Sequence, residues 1–281
     1  MNTSPYTYAR QYRGKVQAII LDWSGTLADA YVIAPAIVFV EVFENAGVPI
    51  SMEEARGPMG LRKDLHIKAL TEDPVIAERW KAAKGKYPDQ GDVDEMYSQF
   101  VPAQLKVLKK YTTLLPGIKE TMNALQAQGI KLGASTGFSR DMVDILNADA
   151  IKQGLTLDAT VAGDEVIHGA RPAPHMVYRN LDLLGISEIK SVVKCDDTVS
   201  GIGEALNAGC WGVGLVRYSN YMNINSLEEE ARLSEQEISQ RMAHSRALLE
   251  QSGAHYVIDS LVELPEVIDD INARLARGEK P

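Results

Sequence analysis

Short apolar runs separated by helical patterns constrain this chain more than any other feature. The runs fall at residues 16–22 (VQAIILD), 130–135, 157–162, 189–195, 211–216 and 255–258. The first is apolar nearly throughout and ends in Asp22, as a strand covered on both faces would. Between most of the runs, apolar residues recur every three or four positions, at 117–128, 139–154 and 176–184. Strands alternating with helices give a mostly parallel sheet with helices on both faces. Open α/β sheets place their chemistry at the carboxyl ends of the strands, so the residues that end these runs carry the functional information.

The rhythm breaks at residues 30–112, which read as helices with no strand. Ser51 and Glu54 form a capping-box pattern, Gly57-Pro58 punctuates the chain, and a helical pattern then runs through Leu61, Leu65 and Leu70. Residues 92–111 read as another long amphipathic helix. A helical block inserted after the first strand suggests a separate cap over the active edge, hinged near Asp29 and Pro116. Residues 226–251, rich in Glu, Arg and Gln at helical spacing, read as a solvated surface helix, and residues 271–280 as a basic helix terminus.

Composition removes several function classes. No stretch approaches the ~18–20 apolar residues of a membrane span. Residues 1–14 lack the apolar segment of a secretory signal. Cys195 and Cys210 have no metal-like spacing, which fits a reducing cytoplasm. A net charge of −9 disfavours nucleic acid as a partner.

Four strand-end elements carry chemistry. Asp22, followed by Gly25-Thr26, is a nucleophilic carboxylate with loop amides able to hold phosphoryl oxygens. Ser135-Thr136-Gly137 offers hydroxyl and glycine for close approach to a phosphate. Arg171 can neutralise an anion, and Asp196-Asp197 suit a hard cation such as Mg²⁺. Each alone has a bland alternative: a capped turn, a surface arginine, an acidic turn. The ordered set of acid, hydroxyl, cation and acid is far more specific.

That set resembles the haloacid dehalogenase superfamily. The resemblance implies an α/β fold: a Rossmann-like parallel-sheet core at 1–29 and 113–281 with an inserted helical cap domain at 30–112. Within the cap, EARGPMGLRK at 54–63 looks like the signature of the phosphonatase family, and DWSGT at 22–26 resembles that family's D-W-A-G-T. The resemblance implies that Lys63 forms a Schiff base with an aldehyde and that His66 takes part in proton transfer. Met59 and Gly60 would line the substrate site with Thr136, Gly137 and Arg171. Mg²⁺ would be held by Asp22, Asp197 and the backbone carbonyl of Ser24. It further implies hydrolysis of phosphonoacetaldehyde to acetaldehyde and phosphate, in 2-aminoethylphosphonate degradation, by a cytoplasmic homodimer.

The reaction explains one absence. Phosphatases of this superfamily carry a second acid two residues after the nucleophile; here that position is Ser24. A carbon–phosphorus bond cannot expel a bare carbanion, but an imine on the neighbouring carbon accepts the electrons as an enamine, which needs no acid there. Ser24 therefore counts against an ordinary phosphatase or phosphomutase. Lys63 and the paired aspartates count against a dehalogenase, and the complete strand-end set counts against a scaffold protein. The runner-up reading is a hydrolase of the same superfamily acting on a related phosphonate or small phosphate ester. The chain departs from the family pattern at Ser24, Tyr31-Val32, Phe138 and Gly201, the last standing where some members carry a further acid. The spacing does not decide whether Asp196 touches the metal.

Overall fold

The computed structural model describes residues 11–281. The expected lack of a secretory signal concerns residues 1–14, of which 1–10 lie outside the described residues. Among the described residues, β1 Ala18–Leu21 is followed by an all-helical stretch. This comprises α1 Ile33–Asn45, α2 Met52–Arg56, α3 Lys63–Glu72, α4 Pro74–Lys84 and α5 Gln90–Leu108. Strands and helices then alternate: α6 Ile118–Ala127, β2 Lys131–Thr136, α7 Arg140–Lys152, β3 Ala159–Ala162, α8 His175–Leu184, β4 Val192–Asp196, α9 Val199–Ala208 and β5 Trp211–Leu215. After α10 Leu227–Glu230 and α11 Glu235–Gln251 come β6 Tyr256–Ile258 and α12 Leu264–Ala276.

The described strands form one parallel sheet in the order β3-β2-β1-β4-β5-β6. β1 lies at its centre. Its side chains alternate between two cores, Ile19 and Leu21 facing one layer and Ala18 and Ile20 the other. That double burial is why the run has no polar alternation. The strand order reverses direction around β1, which opens a crevice at the carboxyl ends of β1, β2 and β4.

The helical insertion shares the larger core. Phe39 of α1 stacks on Phe100 of α5 at 4.5 Å, and Phe43 meets Trp80 of α4 edge-on. Ser51 caps α2 with the expected box, and Glu54 also pairs with Arg79 of α4 at 2.8 Å. The chain enters the insertion through backbone that L-residues avoid: Asp29, Tyr31 and Val32 have φ of 53°, 66° and 55°. Such left-handed geometry costs about 1–2 kcal/mol per residue. Specific bonds offset it. Asp29 Oδ1 accepts from the amides of Ile33 and Ala34, both at 3.1 Å, and the Tyr31 amide donates to Tyr218 O at 2.8 Å. The exit runs beside the entrance, with Leu115 N donating to Leu27 O at 2.9 Å.

One expected element differs. Residues 226–251 form two helices, not one: α10 stops at Glu230, and Ser234 starts α11 afresh through a capping box with Glu237.

Candidate active site

The site is built from two walls. The core wall comes from strand ends. Arg171, 1% exposed, is its hub. Its Nη2 donates to Asp22 Oδ1 at 3.0 Å and to Ser135 O, and its Nε donates to Glu204 Oε2 at 3.0 Å. Asp196 Oδ2 lies 3.2 Å from Nη2. These carboxylates hold the guanidinium well above its ordinary pKa despite burial, so its charge is permanent. Among the described residues its Nη1 is buried without a partner, a free donor in a closed site.

The paired aspartates at the end of β4 have opposite surroundings. Asp196 is held below the usual carboxylate range because Arg171 and Lys194 outweigh its burial. Asp197 is pushed well above that range by burial and by the neighbouring Asp196 and Asp22. Asp197 Oδ2 accepts from the Asn220 backbone amide at 2.8 Å, while Oδ1 is buried with no partner among the described residues. Carboxylate oxygens of Asp22, Asp196 and Asp197 lie within 4.8 Å of one another. An orphaned carboxylate oxygen among crowded negative charges fits a metal ion, which would satisfy the lone pairs and neutralise the repulsion.

The cap wall is apolar. Lys63 begins α3 and is 6% exposed. Its Nζ lies over the ring of Phe138 at 4.8 Å and that of Phe39 at 5.8 Å. Burial lowers its pKa to about 8, with Asp22 pulling it up and Arg171 pushing it further down. At that value roughly a tenth of the amines are neutral at pH 7, against almost none for an exposed lysine.

The walls meet closely. Gly60 has φ of 94°, and a Cβ there would lie 2.1 Å from Ser200 Oγ and 2.6 Å from Thr198 Oγ1. A Cβ on Gly137 would lie 2.4 Å from Leu61 O. Only glycine permits either approach. Between the walls lies a cavity lined by Asp22, Ser24, Met59, Lys63, Thr136 and Arg171, with Gly60, Gly137, Val32, Phe138, Asp197 and Thr198 completing it. It leaves about 20 Å³ for the centre of a water-sized sphere, room for about one water.

Known proteins match nearly the whole chain. A family model described as haloacid dehalogenase-like hydrolase matches residues 16–209. A phosphonoacetaldehyde hydrolase of Klebsiella pneumoniae is 41% identical over 268 residues, covering 95% of this chain and 99% of that one. The chain belongs to the phosphonoacetaldehyde hydrolase family. Another relative of that name, from Paraburkholderia xenovorans, is 40% identical over 266 residues, covering 95% of this chain and 99% of its own. The crystal structure of a phosphonoacetaldehyde hydrolase-like protein from Oleispira antarctica superposes with a TM-score of 0.94. It is 37% identical and covers 99% of this chain and 100% of its own. A predicted phosphoglycolate phosphatase from Haemophilus somnus, 19% identical, gives a TM-score of 0.64 over 89% of this chain and 97% of its own, which shows the shared fold alone.

Of the residues expected from the family signature, His66 alone stands outside the cavity. It is fully buried, its Nε2 faces Ala55 O at 2.9 Å and its ring stacks on Phe39 at 3.8 Å. Burial and the charge of Lys63 hold its pKa well below the ordinary value, so the ring is neutral. Other residues of the site went unread in the sequence. Asn220 grips Asp197, and Arg56 of the family's cap signature reaches Asn220 Oδ1 at 3.1 Å. Glu204 and Lys194 are buried behind Arg171. The partners of Asn220, Arg56 and Glu204 lie many residues away, and Lys194, two residues before Asp196, sits inside a buried strand, so local pattern gave no signal.

Proposed function

We propose that this protein hydrolyses the carbon–phosphorus bond of phosphonoacetaldehyde to acetaldehyde and phosphate. One observation carries the reading: a buried amine, Lys63, and a strand-end carboxylate, Asp22, line one cavity with the free Nη1 of Arg171. A phosphatase has no use for such an amine.

In this reading neutral Lys63 attacks the aldehyde carbon, water leaves, and a protonated imine forms. Arg171 and Thr136 hold the phosphonate oxygens. Asp22 attacks phosphorus, the C–P electrons pass into the iminium, and an enamine departs from an aspartyl-phosphate. Protonation at carbon and hydrolysis release acetaldehyde from Lys63; water then frees phosphate from Asp22. His66, for which the family resemblance implies a part in proton transfer, keeps a bare Nδ1 among the described residues and lies on the cap side near Lys63. Asp22, Asp197 and the Ser24 carbonyl would hold Mg²⁺, which when bound offsets the charge that develops on phosphoryl oxygens.

Residues 30–112 act here as a cap. Space for about one water cannot admit the substrate, so the walls must part. A separate void of about 440 Å³ lies between the two crossings, lined by Asp29, Ala30 and residues 110–111 and 113–116, and gives the hinge room to move. The remaining assignments, a homodimer and a cytoplasmic location, rest on family resemblance and on two free, buried cysteines. No described helix is long and apolar enough to cross a membrane.

The test is borohydride reduction in the presence of phosphonoacetaldehyde, with the adduct mapped by mass spectrometry. A reduced imine on Lys63 is expected. Phosphate release without any adduct on Lys63 would overturn the imine mechanism.

A further inference from the structure

Asp196 and Gly201 occupy one volume. A Cβ built on Gly201 would lie 1.9 Å from Asp196 Cγ and 2.1 and 2.2 Å from its two carboxylate oxygens. No larger residue at 201 can coexist with Asp196 in this position. The carboxylate that fills the space is fully buried and fully engaged. Its Oδ1 accepts from the Thr198 amide at 3.0 Å and from Thr198 Oγ1 at 2.7 Å. Its Oδ2 accepts from Lys194 Nζ at 2.6 Å and pairs with Arg171 Nη2 at 3.2 Å. A carboxylate offers about four lone-pair sites. Three of these accept hydrogen bonds and the fourth faces the Arg171 charge, whereas Asp197 keeps one oxygen bare among the described residues.

We propose that Asp196 is a positioning residue for phosphoryl transfer, not a metal ligand, and that Gly201 and Asp196 act as one unit. The carboxylate ties the hub arginine to β4 and to the first turn of α9, and so fixes the direction of the free Nη1. Glycine at 201 is the room it needs. The same geometry makes the unit transferable: an aspartate on 201 would send its carboxyl group into the volume that Asp196 vacates.

The inference rests on the metal-dependent reading above and is tested apart from it. Mn²⁺ is titrated calorimetrically into the substrate-free wild type, Asp196→Asn and Asp197→Asn. Asp196→Asn keeps Mn²⁺ affinity within about threefold, while Asp197→Asn weakens it by roughly tenfold or more. With phosphonoacetaldehyde, Asp196→Asn lowers kcat by roughly 10- to 100-fold and leaves KM within about threefold. Asp196→Gly and Gly201→Asp are each impaired, and the double variant Asp196→Gly/Gly201→Asp recovers at least about tenfold over the weaker single variant. Thermal melts show which variants are folded; should Asp196→Asn not fold, the double swap decides. Loss of Mn²⁺ affinity in Asp196→Asn equal to that in Asp197→Asn would overturn the proposal, as would a double variant no better than Asp196→Gly. A wild type that binds Mn²⁺ but leaves phosphonoacetaldehyde intact sinks the functional reading instead.

Discussion

The two walls of the cavity treat charge in opposite ways. On the core wall each ion is met by others: Arg171 by Asp22, Asp196 and Glu204, and Asp196 in turn by Lys194. On the cap wall Lys63 has two aromatic rings and no hydrogen bond of its own among the described residues. Low dielectric strengthens the first arrangement and penalises the second. The polar wall keeps a guanidinium charged and aimed for an oxyanion. The apolar wall lowers the pKa of an amine to about 8, which raises its neutral fraction. The proposed reaction uses each state in one step, and placing them on separate elements lets both exist in one small cavity.

Removing the cap amine has the largest expected effect. Lys63→Met should lower phosphonoacetaldehyde cleavage by on the order of 10⁴-fold or more, since no imine can form. It should also stabilise the fold. The folded pKa is about 8 against an ordinary 10.5, so the penalty for burying the ammonium is full below pH 8 and vanishes above the unfolded value. Urea melts at pH 7 should show a gain on the order of 3 kcal/mol that shrinks toward zero near pH 10. A Lys63→Met protein no more stable than wild type at pH 7 would mean that the cap wall is wetter than described. Next in size is Gly60→Ala. Its Cβ would strike Ser200 and Thr198, hold the walls apart, and cost about 100-fold in kcat/KM. Near-normal activity in that variant would show that the walls need not meet so closely.

The pH dependence separates the walls without mutation. Lys63 must be neutral to attack, so kcat/KM should climb as pH rises and level off above about 8. Arg171 stays charged throughout and adds no limb in that range. A profile flat from pH 6 to pH 9 would mean that an amine of lowered pKa does not limit the reaction.

The core wall was more legible in the sequence than the cap wall's supports. β1, β2, β4 and β5 end within one residue of the ends of their apolar runs, because a doubly covered strand has no polar face to prolong the pattern. Asp22, Thr136 and Asp196-Asp197 stand at those ends, and it was their ordered set that marked them out. Lys63 did not stand out in that way; a helix-start lysine is usually solvated, and it was the surrounding EARGPMGLRK string, with the missing acid at Ser24, that singled it out. Its lowered pKa comes from burial, with Arg171 adding to it, and the elements that bury it, among them Phe39 of α1 and Phe138 of the loop after β2, are joined by no local pattern. The break at Ser234 was readable, since a serine with glutamate three residues later is a helix start, yet the longer periodicity hid it. Asn220 opens a single 3₁₀ turn, Asn220–Met222, in the loop after β5, whose composition says nothing; its meaning comes entirely from Asp197 and Arg56.

That loop supplies the smallest and most discriminating expectation. Asn220 stands between the walls. Its side chain accepts from Arg56 Nη1 at 3.1 Å and donates to Arg56 O at 3.2 Å, while its backbone amide holds Asp197. Burial lowers the pKa of Arg56 to about 10, so the guanidinium is still charged near neutrality. Asn220→Ala removes the two bonds to the cap and keeps the amide bond to the core. A hydrogen bond to a charged group contributes about 1.5–3 kcal/mol, and Arg56 retains Tyr31 O and Ile224 O as acceptors. The closed state should therefore weaken modestly: KM rises about tenfold, kcat stays within about threefold, and Mn²⁺ affinity is unchanged. A fall in kcat or metal affinity larger than the rise in KM would show that the Asn220 side chain, and through it the cap, sets the geometry of Asp197, so that the two walls work as one body.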